Sequence, residues 1–209
     1  MVRLSHIHSS INLTLLYILY MINIAIFVSG NGSNCENIIR HFAESKLARV
    51  ALVVSNRADA FALERAKRLG VPTLTLSKAD FANQEYTITL LDSYNIEFIV
   101  LAGFLMMVPD YLISRYHQRI INIHPALLPK YGGKGMYGHY VHEAVKANGE
   151  TETGITIHYV SEECDGGDII FQSKVTIEPS DSPQEIETKV HKLEMRDFPL
   201  VIENLISNI

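Results

Sequence analysis

From Met21 onward, short apolar runs alternate with segments whose apolar residues recur every three or four positions. The runs at 22–28, 49–55, 73–76, 97–102 and 120–123 are short and apolar enough to predict strands buried on both faces. Between them, 33–45, 59–69, 79–94 and 109–116 carry helical spacing. In the second of these, Asp59 can cap a helix that sets Leu63, Ala66 and Leu69 on one side. Such alternation predicts parallel strands joined by right-handed crossovers.

The pattern changes after Tyr131. Gly132, Gly133, Gly135 and Gly138 make a close-approach loop ahead of a helix at 139–147. Two more strands, 155–160 and 168–177, flank a short loop and read as an antiparallel pair added to the sheet. The last helix is announced by Ser182 as cap, Pro183 at the first helical position and Glu185 closing a capping box, and should run to about Ile206. The expected fold is α/β: a three-layer, mostly parallel twisted sheet of Rossmann-like kind, with a C-terminal antiparallel strand pair and a long C-terminal helix. With no repeat, low-complexity tract or linker, residues 21–209 read as one domain.

Residues 1–20 read differently. Arg3 and two histidines precede an apolar stretch that runs into the first strand. A signal peptide or a membrane anchor would share that outline. Asn12, Thr14 and Asn23 interrupt the run, no small-x-small cleavage site precedes Met21, and cleavage beyond it would remove the first strand. The expectation is a dispensable extension before a cytoplasmic domain.

Composition narrows the function. The 209 residues are 47% hydrophobic and 20% charged, enough apolar content for one full core. A formal charge of -5 argues against a protein that coats nucleic acid or membrane, so any bound phosphate must be held locally. Cys35 and Cys164 make no spaced framework, which fits a reducing compartment.

Three segments could carry chemistry. Ser29-Gly30-Asn31-Gly32-Ser33-Asn34 joins the first strand to the first helix and can cradle a phosphate on backbone amides without a lysine; an ordinary strand–helix turn is the plainer alternative. Asn122 and His124, two apart on a strand, share a face at its carboxyl end, where an amide and an imidazole can stabilise an oxyanion and relay a proton. A buried Asn–His pair serving loop backbone is the competing reading. Asp165, before Gly166 and Gly167, is either simple turn chemistry or a carboxylate facing His124 across the crevice. His139 and His142, with His124 and His158, lack any metal-ligand spacing and read as solvated or core histidines, so no metal is expected.

Taken together, Val28-Ser29-Gly30-Asn31-Gly32-Ser33-Asn34, Ser55-Asn56-Arg57-Ala58-Asp59-Ala60, Leu101-Ala102-Gly103-Phe104, Asn122-Ile123-His124-Pro125-Ala126-Leu127-Leu128-Pro129-Lys130-Tyr131, Gly154-Ile155-Thr156-Ile157-His158 and Asp165-Gly166-Gly167 resemble the phosphoribosylglycinamide formyltransferase family of folate-dependent enzymes. The resemblance covers nearly the whole chain from Met21. It implies formyl transfer from 10-formyltetrahydrofolate, as co-substrate, to the amine of glycinamide ribonucleotide, a step of purine biosynthesis. It implies Asn122, His124 and Asp165 as the catalytic set, and Gly32, Ser33, Asn34 and Glu194 on the phosphorylated substrate. Folate would lie along Phe104, Leu105, Met106, Met107 and Val108 and against Val160, Ser161, Glu162, Glu163 and Cys164. The implied partners are small molecules, in a monomer or homodimer.

The chain departs from the family pattern where bacterial members carry arginines, here Leu105-Met106-Met107 and the neighbourhood of Gln84, and in a longer 132–138 segment. A formyltetrahydrofolate deformylase would use the same three residues with water as acceptor, but with an added regulatory segment. A methionyl-tRNA formyltransferase would need a further domain and a basic surface. A non-catalytic folate- or nucleotide-binding module is the alternative from another class.

Overall fold

The computed structural model describes residues 21–209, so the expectations for residues 1–20 lie outside the described residues. Strands β1 (Ile22–Val28), β2 (Ala48–Ser55), β3 (Thr73–Thr75), β4 (Phe98–Leu101) and β5 (Ile120–His124) pair in parallel. β6 (Glu152–Tyr159) and β7 (Ile169–Thr176) add antiparallel at one edge, as the sequence predicts. The spatial order is β3-β2-β1-β4-β5-β6-β7. The chain steps outward from β1 to β3, then resumes on the other side of β1 at β4. That reversal opens a crevice beyond the carboxyl ends of β1 and β4, where open parallel sheets bind ligands.

Alternation along β1 explains the three layers. Every residue of β1 is buried. Ile22, Ile24, Ile26 and Val28 enter one core with α1 (Ser33–Phe42), α2 (Phe61–Arg68), α6 (His139–Ala147) and α7 (Pro183–Ile206). Ala25 and Phe27 enter a second core with α3 (Lys78–Ala82), α4 (Gln84–Ser93) and α5 (Asp110–Arg115). Side chains two apart on a strand point the same way, so one apolar run feeds both layers.

Two local expectations need correction. The helix predicted over 79–94 is two helices, because Asn83 adopts an extended backbone and its side chain accepts the Tyr86 N–H, starting a new helix. Asp59 does not cap α2; it pairs with Arg57 at 2.8 Å, and the cap position falls on Ala60 without a side-chain bond.

The long α7 begins at the predicted Ser182–Glu185 capping box and continues through Pro199. Proline has no N–H to give the carbonyl four residues earlier, here that of Met195. Asn37 of α1 donates to that carbonyl at 2.7 Å. A gap in one helix thus becomes the dock for another, and Asn34, one turn earlier on α1, donates to Glu194 at 2.9 Å.

Candidate active site

A cleft of about 1190 Å³ lies over the crevice at the sheet's switch point. Asn122 and His124 reach it from β5, and Asp165 from the loop between β6 and β7. Of the two readings of Asp165, the structure has the carboxylate facing His124: Nδ1 of His124 stands 3.5 Å from Oδ2, and Asn122 Nδ2 stands 3.4 Å from Oδ1. The loop is built for this. Asp165 takes the left-handed backbone at φ of 55°, and a side chain at Gly167 would run into the Tyr159 carbonyl, so glycine is sterically required at 167.

Hydrogen bonding settles the proton positions. His158 Nδ1 donates to the Tyr159 carbonyl at 2.8 Å, leaving Nε2 bare to accept from Asn122 Nδ2 at 3.1 Å. His124 Nε2 donates to the Tyr131 carbonyl at 2.7 Å, and the Gly133 N–H donates to Asp165 Oδ2 at 2.9 Å. Burial holds the His124 imidazole below its ordinary value, while the nearby Asp165 carboxylate pulls the other way. For Asp165, burial works upward, but the attraction of the His158 and His124 imidazoles in their protonated form, together with the Gly133 N–H, outweighs it and holds the carboxyl below the usual range. The resting site therefore holds a neutral His124 beside an ionised Asp165.

The Ser29–Asn34 segment forms one wall. Gly32 has φ of 79°, and a side chain there would strike Ala62, which places the start of α2 against the turn. Asn34 and His191 Nδ1 (3.0 Å) both engage Oε2 of Glu194, so the expected ribonucleotide residues come together across α1 and α7. Arg65 donates to the Asn31 carbonyl at 3.0 Å and pairs with Glu36, bracing the turn from behind. The Ser29 hydroxyl donates to Asn56 at 2.6 Å and accepts the Leu105 N–H at 2.9 Å, linking this wall to the opposite one.

That opposite wall contains Phe104–Val108, Val160, Ser161, Glu163 and Cys164; Glu162 is exposed and lies outside the lining. Leu105 and Met107 are more than half exposed, an apolar surface open to a ligand, whereas Phe104 packs on Phe27 and Phe81. Burial raises the Cys164 thiol, and Asp165 adds to this, so it is no activated nucleophile.

Sequence reasoning did not place His158 in the site, nor Tyr131 and Gly133 as the backbone partners of His124 and Asp165. It also assigned nothing to the α7 face of Gln184, Glu187, Thr188 and His191, which lines the cleft. That face carries helical three-and-four spacing but polar residues, a signal readable as a solvated surface. Among the described residues no group of three or more His, Cys, Asp or Glu is arranged to hold a metal ion. No helix among them is long and apolar enough to cross a membrane.

A crevice at the switch point of a parallel sheet, floored by an amide, an imidazole and a carboxylate, defines a group-transfer enzyme of the formyl transferase family: its family model matches residues 22–202, and the chain belongs to it. The phosphoribosylglycinamide formyltransferase of Escherichia coli strain K12 is 40% identical over 185 residues, covering 86% of this chain and 85% of that protein. The chloroplastic phosphoribosylglycinamide formyltransferase of Arabidopsis thaliana is 40% identical over 180 residues; the match spans 81% of this chain and 62% of the plant protein's length. Among solved structures, phosphoribosylglycinamide formyltransferase from Anaplasma phagocytophilum superposes with a TM-score of 0.81 at 28% identity, covering 90% of this chain and 88% of that one.

Proposed function

We propose that this protein transfers a formyl group from 10-formyltetrahydrofolate to the amine of glycinamide ribonucleotide, the reaction named for its relatives in Escherichia coli and Arabidopsis thaliana. The observation that carries the reading is the convergence of Asn122, His124 and Asp165 at the floor of a cleft with one polar and one apolar wall.

The apolar wall suits a reduced folate. Leu105, Met107 and Val160 would take its flat rings, and no departure at the family's arginine positions closes that surface. When bound, the folate supplies an activated formyl carbon. The polar wall would hold the ribonucleotide, with its phosphate on the Gly32-Ser33-Asn34 turn and its sugar side toward Glu194.

Asn122 acts as the donor to oxyanion charge. Its contact with Asp165 is long, 3.4 Å, so one N–H can be redirected at small cost. As the amine nitrogen bonds to the formyl carbon, His124, neutral at rest, takes the proton that the amine must lose, and Asp165 stabilises the imidazolium so formed; the bond from the formyl carbon to the folate nitrogen then breaks, and the proton passes to that departing nitrogen. Tyr131 and Gly133 hold the two in register.

Formyl transfer by the full-length protein, with glycinamide ribonucleotide and water as competing acceptors, tests the reading. Turnover that depends on the ribonucleotide is expected. Release of formate at the same rate without it would replace the transferase by a hydrolase.

A further inference from the structure

The charged side chains that line the cleft are mostly of the same sign as the ligands proposed for it. Glycinamide ribonucleotide carries a phosphate and folate carries carboxylates, yet four carboxylates line the cleft, those of Glu163, Asp165, Glu187 and Glu194. Among the described lining residues, Lys134 is the one lysine or arginine. The nearest guanidinium to the phosphate turn, that of Arg65, is held by Asn31 and Glu36. Lys134 has no ion-pair or hydrogen-bond partner among the described residues, unlike Lys130 and Lys174 nearby, which pair with Glu150 and Glu152 at 2.9 and 2.7 Å.

Its setting is also unusual. Lys134 is exposed and sits between Gly133 and Gly135, whose φ values are 90° and 92°, with Gly138 at 55° closing the segment. At Gly133, Gly135 and Gly138 an added side chain would meet nothing within 4 Å. Space is therefore not what calls for glycine there; backbone conformation is. The residue just before Lys134 donates its N–H to Asp165, and the Tyr131 carbonyl accepts from His124. The lysine is thus mounted on backbone that is bonded to both members of the candidate acid–base pair.

We propose that Lys134 is the countercharge for an oxyanion group of a bound substrate, phosphate or folate carboxylate, and that the 132–138 segment is the glycine-hinged arm that presents it. The proposal deepens the formyl transferase reading and rests on it. It gives a role to a segment that the family resemblance left without one. An ammonium on a four-carbon stem suits this work as a mobile point charge, whereas the backbone turn supplies fixed N–H donors.

The test is titration calorimetry of the full-length protein and its Lys134→Ala and Lys134→Arg variants with glycinamide ribonucleotide, its dephosphorylated nucleoside, 10-formyltetrahydrofolate and the corresponding pteroyl carboxamide, which lacks glutamate and carries no carboxylate. Lys134→Ala should weaken one anionic ligand about tenfold or more, the scale of a lost charge-assisted bond, and Lys134→Arg should restore most of it. The penalty should vanish for the partner compound without the anion, and the pair in which it vanishes identifies phosphate or carboxylate as the group. Affinities within twofold of wild type for both anionic ligands would overturn the proposal, as would equal losses with and without the anion, which would mean a disturbed loop. Wild-type protein that binds both ligands but does not transfer formyl would instead count against the reaction.

Discussion

Both amide protons of Asn122 have partners in the resting site, the bare Nε2 of His158 and Asp165 Oδ1. The residue is thus oriented before any substrate arrives, and orientation in advance is what makes an oxyanion donor effective. Replacing Asn122 by alanine should lower kcat by about 10²–10³, the cost of one such donor, while ribonucleotide affinity measured by calorimetry stays within a few-fold. Parallel loss of affinity and turnover would make Asn122 a binding residue. The sequence made Asn122 and His124 visible because spacing of two on a strand gives a shared face. It could not make His158 visible in the same way, since its place beside Asn122 depends on antiparallel pairing between β5 and β6, in which Asn122 lies opposite His158.

The helices were mostly legible from their own residues, and the exceptions are informative. Ser182, Pro183 and Glu185 announce the start of α7 because capping is local chemistry among neighbours. The break at Asn83 was missed because the same side chain that can ride in a helix can also cap the next one. The sequence carries α7 to about Ile206 in spite of Pro199; the proline is tolerated because Asn37, far away in the chain, satisfies the Met195 carbonyl that proline leaves free. Asn37→Ala should therefore cost about 1 kcal/mol, the net worth of a hydrogen bond between half-buried groups. Thermal unfolding should shift down by about 2–4 °C for each kcal/mol in a domain of this size. An unchanged melting temperature would show that water replaces Asn37 at that carbonyl.

For the molecule as a whole, two buried imidazoles link folding to pH. Burial lowers both His124 and His142, the second against a weaker pull from Glu187 and Glu194. A lowered folded value means that the unfolded chain binds more protons, so stability rises with pH in that window. The contribution is fully present above the ordinary imidazole value of about 6.5 and is lost as pH falls through the folded values. Chemical denaturation followed from pH 7.5 downward should show stability falling below about pH 6.5, by up to roughly 1.4 kcal/mol per pH unit for each group. A His142→Phe variant should flatten that slope. A slope unchanged by the variant would assign the acid sensitivity to other groups.

What the sequence determined by itself was most of what neighbours along the chain decide. Strand and helix alternation, the antiparallel pair, the capping box of α7 and the Asn122–His124 face all follow from periodicities of two and 3.6 and from local turn chemistry. Tertiary structure alone decided which distant groups meet: Asp165 against His124, His158 against Asn122, Asn34 and His191 on one oxygen of Glu194, and Asn37 on the carbonyl exposed by Pro199. The reason is physical. Backbone geometry fixes the direction of a side chain from its own few residues, but the partner it finds, and hence its charge state and its chemistry, depends on sheet register and helix docking that bring together segments up to 160 residues apart.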